Sequence, residues 1–148
     1  MDSTTEYAKR IVSGDILASK SIIDACNRHL KDMESQTEYV WDFSYAEKAI
    51  SFMEMLPDPK TGKSFPLASF QKFIVGSIYG WRRADNKELR RFKKAVVSVA
   101  RKNGKSLLIS GIILYEFLFG QNPAMSRQLF TGANDKAQAS IIFNMCAK

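Results

Sequence analysis

The sequence predicts an α/β fold in which an N-terminal helical region leads into the first strands of a parallel sheet. Apolar residues recur at helical spacing through the first half of the chain. From residue 93 onward the pattern changes to strand, loop, helix and strand, the order that begins a parallel α/β sheet. Two strands leave a sheet edge and one face uncovered, so we expect an incomplete sheet and the front portion of a longer protein.

Composition places the chain among soluble globular proteins. It has 148 residues, of which 45% are hydrophobic and 25% charged, so we expect one folding unit or part of one. The longest apolar run, residues 107–119, is interrupted by Ser110, Gly111 and Glu116 and is shorter than the roughly 18 residues of a membrane span. The N-terminus has no apolar signal region. We therefore expect a cytoplasmic protein with no membrane partner.

Residues 1–66 are predicted to form the helical region. Segments 4–13 and 15–33 both show helical periodicity, and Gly14 separates them. The apolar stripe of the second helix consists of Ile16, Leu17, Ile22, Ile23, Ala25, Cys26 and Leu30. Both helices are therefore expected to pack through one apolar face.

A strand, a helix and a loop complete the helical region. The aromatic segment 38–43 favours a short strand. Ser44 and Glu47 stand at capping-box spacing, so a helix is predicted to start there and to end before Pro57. Residues 57–66 are rich in proline and glycine and predict an exposed loop.

Residues 67–148 are predicted to contain the sheet. The predicted elements are a helix over 67–81 with Phe70, Phe73, Ile74 and Ile78 inward, strands over 93–100 and 127–133, and helices over 103–119 and 134–147. Asn134 is the expected N-cap of the last helix. The loop between the first strand and its helix is then the place where a ligand is expected.

Positive charge is concentrated in one part of the chain. The formal net charge is +7, and between Arg82 and Lys105 there are ten lysines and arginines against two acids, a local charge of +8. Segment 82–94 leads directly into a Gly-Lys-Ser sequence, which suggests an anionic partner. Surface solubility is the alternative explanation for each single cation.

Gly104, Lys105 and Ser106 match the end of a phosphate-binding loop. Such a loop needs backbone N–H groups at a helix N-terminus, a lysine for the outer phosphates and a hydroxyl for magnesium. Val99 stands where the motif normally has its first glycine, at the end of the predicted strand. Because the motif lies between a predicted strand and a predicted helix, we expect it to bind phosphate. A basic turn is the alternative.

Two other patterns carry less information. Gly62 to Ser64 repeats Gly-Lys-Ser, but no apolar strand precedes it and Pro66 follows, so no phosphate site is expected there. Cys26 and His29 have a metal-like spacing, yet two ligands do not make a zinc site. Both are predicted to be ordinary helix residues.

The loop sequence ARKNGKS, residues 100–106, resembles the variant nucleotide-binding loop of the large terminase subunit of tailed bacteriophages, the ATP-driven motor that packages double-stranded DNA. In that family the first glycine is commonly missing and an arginine stands three residues before the last, which fits Val99 and Arg101. Segments 14–32, 65–81, 89–106 and 133–144 also follow the family's order, so the resemblance covers nearly the whole chain.

The resemblance implies a set of ATP-binding residues. They are Gln71, Arg101, Lys102, Asn103, Gly104, Lys105 and Ser106. Lys105 would neutralise the β and γ phosphates and Ser106 would be a ligand of Mg²⁺. Arg101 would act as an arginine finger in cis, with a salt bridge at the base of the loop as the alternative. Gln71 would pair with the adenine edge, and one of Phe70, Phe73, Tyr79 and Trp81 could stack on the base, although most are expected in the core.

The resemblance further implies a RecA-like P-loop ATPase core that starts at residue 67, with its later strands and the nuclease domain absent. An acidic pair at the end of a later strand is needed for hydrolysis, and Glu116 and Asp135 do not fit that position. We therefore expect weak ATP binding and slow or no turnover. The implied partners are double-stranded DNA, the small terminase subunit, the portal and procapsid, and further subunits in a ring, all in the bacterial host cytoplasm.

Two other functions are consistent with the sequence. A nucleic-acid-binding module would use segment 82–94 on backbone phosphates, with binding that weakens steeply in salt and ignores Lys105→Ala. A small-molecule kinase would normally keep the first glycine, and it leaves the helical region unexplained.

Overall fold

The computed structural model describes residues 2–58, 61–64, 66–120 and 127–147. The elements are α1 (Ser3–Val12), α2 (Lys20–Glu34), β1 (Tyr39–Trp41), α3 (Phe43–Met55), α4 (Ser69–Gly80), β2 (Trp81–Arg83), α5 (Lys105–Phe119) and α6 (Lys136–Cys146). They belong to two compact units. The first unit contains Met1–Ile50 and Leu67–Ala95, and the second contains Ser51–Pro66 and Val96–Lys148, so the division passes through α3.

The first unit is built on α1, α2 and α4. Its apolar core includes a cluster of Tyr7, Ala8, Ile11, Cys26 and Phe73. The rings of Tyr7 and Phe73 lie 5.5 Å apart between their centroids. Helix α4 approaches α1 closely at Gly76, where a methyl group would overlap the hydroxyl of Thr4. Small side chains on α4 therefore allow the two helices to pack together.

Helix α1 confirms the first predicted helix, whereas α2 begins later than predicted. The carbonyl of Ser19 accepts hydrogen bonds from the N–H groups of Ile22 and Ile23, each at 3.0 Å, so the helix starts after Ser19. Ile16 lies outside the helix and packs against the core. Leu17 is 98% exposed, which makes its place in the predicted apolar stripe wrong.

The sheet of the first unit is a short antiparallel pair. Strand β1, predicted from its aromatic residues, pairs with β2 so that Trp41 lies opposite Trp81 and Tyr39 opposite Arg83. The predicted helix over 67–81 instead ends at Gly80, which has the Trp41 ring against its Cα. Strand β2 was not predicted, because its pairing partner lies about forty residues earlier in the chain.

Helix α3 ends at Met55, before Pro57, as predicted. Its start is fixed by a different residue from the predicted Ser44. The carboxylate of Asp42 accepts from the Ser44 N–H at 3.1 Å and from the Ser44 hydroxyl at 2.6 Å. Asp42 is therefore the acceptor at this end of the helix, and Ser44 is a donor.

In the second unit, the last turns of α3 pack against α5. The ring of Phe52 lies 5.5 Å from the rings of Tyr115 and Phe119, and Met53 lies against Gly111. Helix α5 was predicted to be buried, yet the side chains of Phe117, Leu118 and Phe119 are about half exposed. None of the described helices is long and apolar enough to cross a membrane.

Helix α6 confirms the last predicted helix but not its predicted cap. The carboxylate of Asp135 accepts from the Gln138 N–H at 2.8 Å, so Asp135 is the N-cap and Asn134 lies before it. None of the residues of α6 is buried. The helix packs on α5.

The two predicted strands of the parallel sheet differ from the structure. Segments 93–100 and 127–133 contain no hydrogen-bonded strand among their residues, all of which are described. Val96 is 97% exposed and Phe130 is 86% exposed. A strand satisfies its backbone groups only through a neighbour, and neither segment has one. The described chain is therefore a mixed fold of helices with one small antiparallel sheet.

Candidate phosphate-binding loop

The Gly-Lys-Ser motif lies where the chain enters α5. Gly104 is the N-cap of this helix, with φ +68° and ψ +16° in the left-handed region. Glycine adopts that conformation without the steric cost that a side chain imposes. The last glycine of the motif is therefore required by the backbone itself, and it contributes no side chain that could cap the helix.

The loop before the helix alternates in handedness. Lys102 has φ +68° and is the one non-glycine residue with positive φ in the described chain, while Asn103 between it and Gly104 has negative φ. A lysine in this conformation costs about 1–2 kcal/mol. Alternation of this kind turns successive backbone N–H groups toward one side, and such a concavity binds anions.

The N-terminus of α5 adds further donors. The first backbone hydrogen bond of the helix joins the Leu108 N–H to the Gly104 carbonyl at 2.9 Å. The N–H groups before it have no acceptor inside the helix, and the aligned peptide dipoles give this end a partial positive charge. An anion placed here is favoured by both effects.

Three cationic side chains surround this helix end. Arg101, Lys102 and Lys105 are exposed and form no hydrogen bond or ion pair with any described residue. Cations beside a helix N-terminus oppose its dipole, and the first turn of α5 contains no acid that compensates. Repulsion between these cations and the helix dipole thus destabilises the start of α5, and a bound polyanion would remove this repulsion.

The polar side chains of the loop have different environments. The Asn103 side-chain amide donates to the Ala100 carbonyl at 3.2 Å, so it braces the loop from within. Ser106 is half-buried in the first turn of α5. Its hydroxyl stands at the position where the motif places a magnesium ligand.

Gln71 lies in the first unit and is 3% exposed. Its side-chain oxygen accepts from the Ala68 N–H at 2.9 Å, which is one half of a capping box at the start of α4. The other half cannot form, because the alanine side chain has no acceptor. An adenine contact would require this oxygen to leave Ala68 or to accept a second bond.

The aromatic residues that the sequence offered for base stacking belong to the core. Phe73, Tyr79 and Trp81 are buried, and Phe70 packs against the core of the first unit. Cys26 is fully buried there, and burial raises the pKa of its thiol to about 11. Metal binding needs the thiolate, so this environment opposes it. Among the described residues no cluster of three histidines, cysteines or acids comes together.

The second Gly-Lys-Ser sequence forms a tight turn. The Asp58 carbonyl accepts from the N–H groups of Thr61 at 3.2 Å and Gly62 at 2.8 Å, and the Asp58 N–H donates to the Lys63 carbonyl at 2.8 Å. Pro59, Lys60 and Phe65 of the predicted loop lie outside the described residues. The N–H groups of Thr61 and Gly62 therefore point into the turn and are already bonded, unlike those at the start of α5.

The basic segment 82–94 begins as a hairpin. Arg82 and Arg90 form an antiparallel bridge, and the N–H of Arg83 donates to the Leu89 carbonyl at 3.0 Å. The chain between them therefore turns back on β2.

Most cations of this segment contact acids or aromatic rings of the first unit. Arg82 is 3% exposed and lies 3.7 Å from the Tyr45 ring centroid. The other contacts are Arg83 with Asp85 at 2.6 Å, Lys87 with Asp42 at 3.0 Å, Arg91 with Asp32 at 2.6 Å and Arg90 over the Tyr79 ring at 5.3 Å. Lys93 and Lys94 stay exposed. This use of charge weighs against a nucleic-acid-binding module centred on the segment.

Comparison with known proteins decides the family. A family model described as the ATPase domain of the terminase large subunit matches residues 69–148. The chain belongs to this family. The match includes the loop, α5 and α6, and it also includes Gln71 and the basic segment.

A sequence match and a structural match, both to the large terminase of one phage, agree with this membership. The large terminase subunit of Enterobacteria phage HK97 is 36% identical in a match that covers 69% of this chain and 19% of that protein. The crystal structure of the HK97 bacteriophage large terminase matches with a TM-score of 0.54 and 34% identity over 69% of this chain and 20% of that chain. The chain spans about a fifth of the length of these relatives.

Proposed function

We propose that the chain binds ATP and Mg²⁺ through residues 100–106, as part of the ATPase domain of a phage DNA-packaging motor. The observation that carries this proposal is the left-handed Gly104 of a Gly-Lys-Ser motif at the N-terminus of α5. Membership of the terminase ATPase family supports it independently. In this view the motif is a working phosphate loop despite Val99, within the parallel P-loop core of that family.

Each loop residue has a proposed role. The N–H groups around Gly104 and the Lys105 ammonium would hold the β and γ phosphates, and the Ser106 hydroxyl would be a ligand of Mg²⁺. When bound, Mg²⁺ would neutralise part of the phosphate charge. Lys102 adds a second cation, and Asn103 keeps the loop in shape through the Ala100 carbonyl.

Arg101 is proposed to line the nucleotide site and also to act on the transferred phosphoryl group once ATP is bound. Its side chain is exposed in the loop and has no described partner, so the alternative role, a salt bridge at the base of the loop, is not among its described contacts. A guanidinium there would stabilise charge that develops on the transferred phosphoryl group. We expect binding rather than rapid turnover, since Glu116 lies within α5 and Asp135 caps α6, and neither follows a strand.

The remaining partners are proposed from the family. A packaging motor would grip double-stranded DNA in a ring of subunits within the bacterial host, alongside the small terminase subunit and the portal. These partners belong to the whole motor, of which this chain spans about a fifth in its relatives.

Calorimetric titration of Mg-ATP tests the nucleotide site. We expect Lys105→Ala to abolish detectable binding, because the lysine provides the main charge for the outer phosphates. Lys63→Ala removes the lysine of the other Gly-Lys-Ser and should leave binding unchanged. The unfolding free energy of Lys105→Ala should stay within about 0.5 kcal/mol of wild type, as for other exposed positions. Equal binding by wild type and Lys105→Ala would contradict the proposal.

Gln71 permits a second test, with inorganic triphosphate as the control ligand. If the amide contacts adenine, Gln71→Ala weakens ATP binding by more than it weakens triphosphate binding. Loss of the capping contact to Ala68 alone would affect both ligands equally, since it acts on the helix and not on the base. Equal losses would therefore remove the adenine role and leave the phosphate site intact.

A further inference from the structure

His29 is the one histidine of the sequence and is 3% exposed on α2. Its ring is enclosed edge-on by those of Trp41, Phe73 and Trp81, at centroid distances of 4.7, 5.9 and 5.7 Å. These rings come from β1, α4 and β2. The imidazole therefore lies where the elements of the first unit converge, in the part of the chain that does not contain the phosphate loop.

The hydrogen bonds around the ring determine its tautomer. The Trp81 indole N–H donates to Nδ1 of His29 at 3.0 Å, and an indole nitrogen is never an acceptor. Nδ1 therefore has a lone pair, and the ring proton is on Nε2. That proton points to the Thr5 hydroxyl oxygen at 3.0 Å.

The chain of donors continues to the start of α1. The Thr5 hydroxyl donates to a carboxylate oxygen of Asp2 at 2.5 Å, and the same oxygen accepts from the Trp41 indole at 2.9 Å. Asp2 is also the N-cap of α1. A continuous series of hydrogen bonds thus joins β2 to the first turn of α1 through one neutral imidazole.

Few charged groups near the His29 ring favour its protonated form. Asp2 at the start of α1 and Asp32 on α2 both favour its protonation, and Arg91 pairs with Asp32 at 2.6 Å. The other packed elements, β1, α4 and β2, present aromatic rings. Burial outweighs the two carboxylates and lowers the pKa of His29 to about 4.

We propose that His29 is an acid-sensitive latch, which fastens the first turn of α1 to β2 while neutral and releases it when Nδ1 takes a proton from solvent. The added proton turns Nδ1 into a donor that faces the Trp81 N–H, so the hydrogen bond between them breaks. The imidazolium is also left among aromatic rings with little water to solvate it. This latch is independent of nucleotide binding.

Acid lability has a defined direction and range. In the unfolded chain the pKa of His29 is near 6.5, so between about pH 6.5 and 4 the unfolded chain binds a proton that the folded chain does not. The free energy of unfolding is therefore not reduced by His29 above this range, and it falls as pH decreases through the range. At pH 5 the folding equilibrium constant should be about 30-fold lower than at pH 7.5 from this group alone.

The whole chain labelled with ¹⁵N-histidine tests the latch, because its spectrum contains one imidazole. We expect the Nε2–H tautomer in the folded protein, with no protonation until near pH 4, where the tryptophan near-UV circular dichroism is lost together with it. An Nδ1–H tautomer, or titration near pH 6.5 with the tryptophan signal intact, would overturn the proposal.

His29→Gln is the matched variant, since an amide offers one acceptor and one donor without titrating. Urea unfolding between pH 7.5 and 5 should show a smaller loss of stability in this variant than in wild type. An equal loss in both would assign the acid lability to other groups. If the variant does not fold, the wild-type tautomer and titration still decide the question.

Discussion

The two groups of basic residues in this chain have opposite environments. In segment 82–94, arginines contact acids and aromatic rings contributed by α2, α3 and β2 of the first unit. At residues 101–105, three cations stand exposed around a helix N-terminus without a described partner. The basic residues of segment 82–94 thus stabilise the fold, whereas those of residues 101–105 leave positive charge available for a ligand.

The difference comes from where the acceptors lie. Asp32 and Asp42 are about fifty residues away in sequence from the cations that they pair with. Arg101, Lys102 and Lys105 have no such acids beside them, and the peptide dipole of α5 adds to their charge. Substitution in the first group should therefore reduce stability, and substitution in the second should reduce ligand binding.

Arg82→Ala should have the largest effect on stability. The substitution removes a buried guanidinium stacked on Tyr45 and its hydrogen bond to the Glu88 carbonyl at 3.3 Å. We expect a loss of about 2–3 kcal/mol in the free energy of unfolding. Arg83→Ala is the matched control, because its pair with Asp85 is largely exposed and screened by solvent, so its loss should change stability little. Urea unfolding of both variants measures the difference. Equal losses of stability would contradict the claim that the buried Arg82 stabilises the fold more than the exposed Arg83.

A smaller effect is expected at the two helix starts of the second unit. Helix α6 has the acidic cap Asp135, whereas α5 has Gly104 and nearby cations. Asp135→Ala should cost about 1 kcal/mol, the usual value of an N-cap, and Asn134→Ala should cost much less. Thermal unfolding of the two variants distinguishes them. A larger loss for Asn134→Ala would restore the cap predicted from sequence.

Apolar periodicity predicted most of the fold, because the spacing of buried and exposed residues along one helix is visible within that segment alone. Five of the six predicted helices lie within two residues of their expected bounds, and the predicted exposed loop contains a tight turn at Gly62. The starts were less accurate, since a neighbouring residue provides the cap at Asp42 and Asp135. Local pattern cannot distinguish adjacent polar residues that are both capable of capping.

Features that depend on distant residues were not predictable. Strand β2 exists through its pairing with β1, and Arg82 is buried because Tyr45 covers it. At the candidate site, the left-handed glycine follows from the motif. The left-handed Lys102 and the bond from Asn103 to Ala100 do not, because lysine seldom adopts positive φ and an amide can bind many groups.

The most direct measurement compares Mg-ATP binding by Lys102→Ala and Lys94→Ala. Both substitutions remove one exposed positive charge, the first from the loop and the second from the basic segment. We expect Lys102→Ala to weaken binding about fivefold, as for a charge-assisted contact of about 1 kcal/mol, and Lys94→Ala to leave it within a factor of two. Equal weakening by both would show that nucleotide responds to overall charge, and would contradict a phosphate site at the start of α5.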